Sequence, residues 1–417
     1  MFARPYRLPH LGPRRTDRSR HALWFALLLM ASLALTLAAC SSASTPTGAH
    51  ATATPTMPRL ALDAQLAHET LYVINASPTA ISATGWSLTA LNAQTGMVRW
   101  KLPTGGMIGR PVIANGVIYF APQDGYVYAV DAATGHVRWR FQRTVNVSQT
   151  VGIDGYPALD GDTLYVASDG GAVYALDASS GKQRWLFTVP SHGHMYAAPA
   201  AGNGMVYVSS AGGSNTFYAL DEATGKVAWQ LTEPGGFDSY PLLAGKMVYT
   251  GANAYYQASF YALDAQTGKI RWQYQAPNLV ITRPALDGNH LFIGVTDSTV
   301  REVNAQTGKE GWRAAIGDQL TVAGIPTGAA PTVADGVVYA GGQNALVEAL
   351  DEATGAVKWK QTVDASVDSA PTVAGGTDGA VFVTTEKGSV YAFRASDGAL
   401  SWKYDDGGLI YASPVLA

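Results

Sequence analysis

Cysteine occurs once in this 417-residue chain, and charged side chains make up only 14 % of it. A single cysteine excludes an intrachain disulfide. No Asp-rich EF-hand-like loop and no c-type haem motif is present. The formal net charge of −3 hides an asymmetry: residues 1–39 hold six Arg and one Asp, leaving 22 basic and 30 acidic side chains beyond them. The remainder is mildly acidic, a poor match for phosphate, and nucleic acid is excluded as a partner.

What the chain has in quantity is Gly and Pro, 66 together, and 21 Tyr. Many glycines and aromatics with few charges suit short strands joined by tight turns. Length alone suggests two or three domains. A repeat overrides that estimate, because repeat proteins grow by adding units to one body.

The amino terminus reads as an address. Residues 1–21 are Arg-rich, and Ala22 to Leu37 form an apolar run too short for a comfortable membrane span. The run ends at Leu37-Ala38-Ala39-Cys40, which resembles the lipobox of bacterial lipoproteins. The resemblance implies a signal peptide over 1–39 and a diacylated Cys40 as the mature amino terminus. Arg14-Arg15 hints at twin-arginine export, but the charged Asp17 favours ordinary Sec export. Residues 40–62, rich in Ser, Thr, Ala and Pro, read as a flexible tether. Acyl chains would then hold residues 63–417 outside the cytoplasm, near a membrane and not in it.

A unit ending in Trp recurs eight times: Ala90 to Trp100, Ala129 to Trp139, Ala175 to Trp185, Ala219 to Trp229, Ala262 to Trp272, Glu302 to Trp312, Ala349 to Trp359 and Ala392 to Trp402. Successive Trp residues lie 39, 46, 44, 43, 40, 47 and 43 apart, and eight of the ten Trp residues fall at this position. Val127 to Asp131 alternates at period two as a half-buried strand should, Ala-Thr-Gly supplies a turn, and His136 to Arg140 returns. Upstream lie a third strand and a short segment starting at Pro111, Pro157, Pro199, Pro241, Pro284, Pro331, Pro371 or Pro414. Four short strands every forty-odd residues is the period of a propeller blade. The expected fold is all-β: an eight-bladed β-propeller of four-stranded blades.

The Trp and Pro series are out of phase. The first Trp unit has no Pro segment before it, and the last Pro segment has no Trp unit after it. The carboxyl-terminal strand is therefore expected to be the innermost strand of the first blade, with residues from about Leu71 to Trp100 supplying the rest. Such closure removes an open sheet edge. Each indole is expected to lie against the Ala and turn Gly of the next blade, and the turn Asp and Thr to bond turn N–H groups.

Ala-x-Asp-x-x-Thr-Gly-x-x-x-Trp resembles the tryptophan-docking motif of the quinoprotein alcohol dehydrogenase-like propellers, the pyrroloquinoline quinone (PQQ) repeat family, over roughly residues 70–417. Units 1, 3, 6 and 8 depart from it at Asn92, Ser180, Glu302 with Asn304, and Arg394 with Asp397. WD40 propellers are disfavoured, because no unit ends Trp-Asp. Enzymes of the PQQ family hold the quinone over Ca²⁺, use an Asp base, and typically cover the quinone with a disulfide between adjacent cysteines. This chain has no second cysteine, and its blade spacings leave no room for large pocket-building insertions. In lipobox, tether and compact blades it is similar to the BamB family of outer-membrane assembly lipoproteins. The resemblance implies a monomeric, non-catalytic propeller that binds an envelope protein or peptide and needs no cofactor. A PQQ- and calcium-dependent dehydrogenase acting on alcohols or sugars stays open as the alternative.

A binding site is expected where loops enter the innermost strands and surround one mouth of the channel. The candidates are Arg110, Asp154, Tyr156, Tyr196, Asp238, Tyr240, Arg283, Asp368 and Tyr411. His192 and His194 share one of these loops, but no third metal ligand accompanies them. No catalytic residue and no metal ligand is assigned.

Overall fold

The structure is a computed structural model. It describes residue 66 and residues 68–417, apart from 77–84, 107–108, 145–156, 169, 191–193, 196, 238, 255–256, 281, 318–329, 377–378 and 411. The expected signal peptide, tether and Cys40 lie outside these residues. The chain divides at Met57 and Pro58, and every described residue belongs to the second unit.

Eight four-stranded antiparallel sheets follow one another along the chain. In blade 2 the strands run Val112–Ala114, Val117–Phe120, Tyr126–Asp131 and Val137–Gln142, from the centre outward. Blade 1 breaks the sequence order. Its outer three strands are Thr70–Ala76, Trp86–Asn92 and Val98–Thr104, and its innermost is Val415–Leu416. Leu71 stands opposite Leu416, and Thr70 and Ala417 exchange backbone hydrogen bonds of 2.6 and 3.0 Å. The chain thus closes as its phase predicts, and Val415–Leu416 covers the inner side of Thr70–Ala76.

The core is not one mass. It is eight apolar layers, each drawn from two successive blades. Leu71, Val73 and Leu91 of blade 1 pack with Phe382, Val390 and Trp402 of blade 8, for example, and Tyr249 and Phe260 pack with Leu291 and Ile293 of the next blade. Burying one such side chain is worth about 1.5–3 kcal/mol, so each blade is stable only between its neighbours.

The Trp residues tie these layers together. Trp100 donates its indole N–H to the Ala132 carbonyl of the next blade at 3.1 Å. Trp139 donates to Ala178, Trp185 to Glu222, Trp229 to Ala265, Trp272 to Ala305, Trp312 to Glu352 and Trp359 to Ala395, all at 2.8–3.0 Å. Trp402 closes the circle on Ala93. Each indole lies on the turn glycine of the blade it reaches. At Gly135, whose φ is +75°, a Cβ would stand 2.9 Å from the Trp100 ring. The repeat alanine takes a different place from the one expected. Ala129 pairs across strands with Trp139 of its own blade, whereas the carbonyl receiving an indole belongs to the residue after the turn acid.

The turn chemistry holds even in the divergent units. Asp131 accepts the backbone N–H and the hydroxyl of Thr134 at 3.0 and 2.9 Å. Asn92 does the same for Thr95, and Ser180 replaces Thr without changing the pattern. In unit 8 the acid has moved to Asp397, which pairs with Arg394 and accepts the N–H of Ala399.

Candidate binding site at the channel mouth

Every repeated Pro starting an inner segment is buried. Its missing N–H suits a position with no strand partner on that side. The inner segments lie side by side around the axis. Thr332 donates its hydroxyl to the Pro371 carbonyl of the next blade (2.7 Å), Thr372 does so to Pro414 (2.5 Å), and Ser413 Oγ accepts the N–H of Ala370 (2.9 Å). The residues just before the prolines therefore form one ring of Arg110, Ala198, Tyr240, Arg283, Ala330, Ala370 and Ser413, with Tyr156 at the blade 3 position in the sequence.

Arg110 and Arg283 are the exposed members of this ring among the described residues; Ala198, Tyr240, Ala330, Ala370 and Ser413 are half-buried. Arg110 is on blade 2 and Arg283 on blade 6, four blades apart in a ring of eight, so they face each other across the channel. Neither makes a hydrogen bond or an ion pair with another described residue. Surrounding protein lowers the pKa of both from the ordinary arginine value, and the Arg283 charge lowers that of Arg110 further.

The other candidates divide. Asp154, Tyr156, Tyr196, Asp238, Tyr411 and His192 lie outside the described residues. Tyr240 and Asp368 are half-buried and partnered. His194 is bridged by its backbone to Ala211, and its ring stands over Gly212. No three His, Cys, Asp or Glu stand close enough to hold a metal among the described residues.

A second polar feature lies in the third strands of blades 6 and 7. The residue before the repeat alanine is Tyr in five units, Thr89 in the first, Arg301 in the sixth and Glu348 in the seventh. Arg301 is buried and reaches Asp297 at 2.9 Å, Glu310 at 3.1 Å and the Tyr274 hydroxyl at 3.4 Å. Glu302, at the repeat-alanine position, is buried against His290 at 3.0 Å. Glu302 is already visible as a departure from the repeat, and the same alignment on Trp312 exposes Arg301 beside it.

No helix among the described residues is long and apolar enough to cross a membrane. The ring of blades and its closing strand define a β-propeller of PQQ-type repeats. The chain belongs to the family described as outer membrane protein assembly factor BamB, whose model matches residues 56–192, 146–237, 235–323 and 296–415. It is 32 % identical over 120 residues to outer membrane protein assembly factor BamB of Yersinia pestis, a match to 27 % of this chain and 28 % of that protein. It thus aligns with little over a quarter of that relative's length. The crystal structure of BamB from Moraxella catarrhalis superposes with a TM-score of 0.56 at 18 % identity, covering 78 % of this chain and 92 % of that one. A europium-containing methanol dehydrogenase superposes with a TM-score of 0.61 at 16 % identity, covering 81 % and 83 %. Such low identities show the shared fold alone.

Proposed function

We propose that this chain is a non-catalytic, extracytoplasmic binding propeller, anchored by lipid on Cys40, that engages an envelope protein or peptide at its channel mouth. One observation carries the proposal. The repeated residues hold blade to blade, so the residues left for recognition are the non-repeating ones around the mouth. The lipobox and the family support the anchor and the envelope setting. The assembly role named for the relatives is the specific form of this reading in a cell with an outer membrane.

Dehydrogenases share the fold, and a PQQ-dependent activity on alcohols or sugars is the second reading. Two experiments separate them. Crosslinking and affinity capture from the native envelope is expected to return one stoichiometric protein partner; a chain recovered alone counts against the proposal. The purified protein supplied with PQQ and Ca²⁺ is expected to leave a redox dye oxidised in the presence of alcohols or sugars. Dye reduction with a stoichiometric quinone spectrum would overturn it.

A further inference from the structure

We infer that Arg110 and Arg283 form a two-pronged anion site across the channel mouth, and that its ligand is an acidic peptide segment whose carboxylates bridge the two guanidiniums. This rests on the reading of the propeller as a binding module and names the chemistry of what it binds.

The case begins with position. The two arginines occupy the same place in the repeat on opposite blades, directly before Pro111 and Pro284. Both prolines are buried in the ring, so the residue before each is presented at the axis by rigid backbone. The arginines also divide the ring into two unlike arcs. From blade 7 through blade 1 the ring carries only short side chains, Ala330, Ala370 and Ser413. From blade 3 through blade 5 the sequence puts Tyr156, Ala198 and Tyr240 at the same position. The short arc leaves space between the arginines, and the tyrosines are confined to the other.

Charge is the second strand of the argument. The protein beyond residue 39 is net acidic, with 30 acidic and 22 basic side chains. Its arginines elsewhere are commonly paired: Arg138 with Asp131, Arg184 with Asp162 and Asp177, Arg271 with Asp264, Arg301 with Asp297 and Glu310. Arg110 and Arg283 break that habit. They have no acceptor among the described residues, they repel each other, and the surrounding protein partly desolvates both. Asp368, on the same mouth, makes an interaction of its own. Two guanidiniums with no acceptor among the described residues, set at one opening, cost stability unless an anion joins them. A planar fork is also the group best shaped for carboxylate. A peptide is favoured over a small dianion because the propeller is read here as a module that binds an envelope protein or peptide.

The test uses the full chain in detergent at low salt, with fluorescein-labelled hexaglutamate read by anisotropy. Wild type is expected to bind hexaglutamate and not hexalysine. Arg110→Ala and Arg283→Ala should each weaken binding about tenfold or more, the double variant should abolish it, and Arg→Lys at both positions should restore part of it. Raising the salt should weaken wild-type binding steeply. Citrate distinguishes the source of the carboxylates: weak competition supports a peptide, whereas citrate binding tighter than hexaglutamate overturns the peptide assignment. The Ala variants should unfold no earlier than wild type, since each relieves a like-charge contact. Equal binding by wild type and the double variant, or no binding by wild type, overturns the proposal. The underlying reading fails separately. If the envelope partner is captured equally by wild type and the double variant, the binding module stands and the anion site falls. If hexaglutamate binds but no partner is captured, the site stands and the proposed function falls.

Discussion

The indole N–H of Trp402 donates to the carbonyl of Ala93 at 3.0 Å, joining residues 309 positions apart. It is the same bond that every other blade makes to its successor, made here between the last blade and the first. Closure therefore combines this bond with the strand pairing of Leu71 with Leu416 and the shared apolar layer of blades 8 and 1.

Trp402→Ala is expected to destabilise the propeller by about 3–5 kcal/mol, as large core truncations do. Trp402→Phe keeps most of the packing and loses the bond to Ala93, and should cost less. Urea denaturation of both variants checks this. Equal losses would mean the hydrogen bond, not the buried ring, dominates.

Gly135 and Gly116 separate backbone strain from crowding. Both have positive φ, +75° and +69°, but a Cβ at Gly116 meets open space while one at Gly135 meets Trp100. Gly116→Ala should cost about 1–2 kcal/mol from backbone strain alone. Gly135→Ala should cost about 1–3 kcal/mol more through overpacking. Matching denaturation midpoints for the two variants would remove the indole contact from the account.

Stability should fall in acid over a defined range. Hydrogen bonds from Arg138 and then Thr134 hold Asp131 down to about 2, and Arg271 and Thr267 do the same for Asp264. Because the folded pKa lies below the ordinary value near 4, the contribution is present above about pH 4 and is lost as pH falls towards 2. Thermal unfolding from pH 5 to 2 checks the range. An Asp131→Asn, Asp264→Asn variant should show a shallower decline.

Arg301→Tyr restores the residue found in five other units but strands Asp297 and Glu310. It is expected to cost about 1–3 kcal/mol. Adding Glu310→Val, which also restores the commoner repeat residue, should recover part of the loss. A double-mutant cycle by chemical denaturation measures the coupling; additive effects would show that Arg301 and Glu310 act separately.

Cys40→Ser is expected to move the protein from the membrane fraction to the soluble one, because the thiol is the acyl acceptor that the lipobox implies. Cell fractionation with immunoblotting checks it. Membrane retention of the variant would remove Cys40 as the anchor.

Much of the fold was legible because a repeat reports its own geometry. The count of Trp units set the number of blades, and the phase of Trp100 against Pro414 set the closure. The place of Ala129 was misjudged because period two says which side of a sheet a residue faces, not which blade it touches. Arg301 and Glu348 stand where five other units carry Tyr, and the ion pairs that hold Arg301 come from Asp297 and Glu310, outside the fixed positions of the repeat pattern.

The sequence by itself determined the architecture, since local turn chemistry and strand alternation, copied eight times, admit few outcomes besides a ring. It also placed Arg110 and Arg283 just before two of the repeated prolines. That neither finds an acceptor among the described residues was decided only by tertiary structure. Arg110 and Arg283 are 173 positions apart and look alike in the chain, as do Arg138 and Arg271. Folding sets Arg138 and Arg271 on turn acids of their own blades and leaves Arg110 and Arg283 facing each other across the axis. A charge is neutralised by what surrounds it in space, and the spacing of residues along the chain does not carry that information.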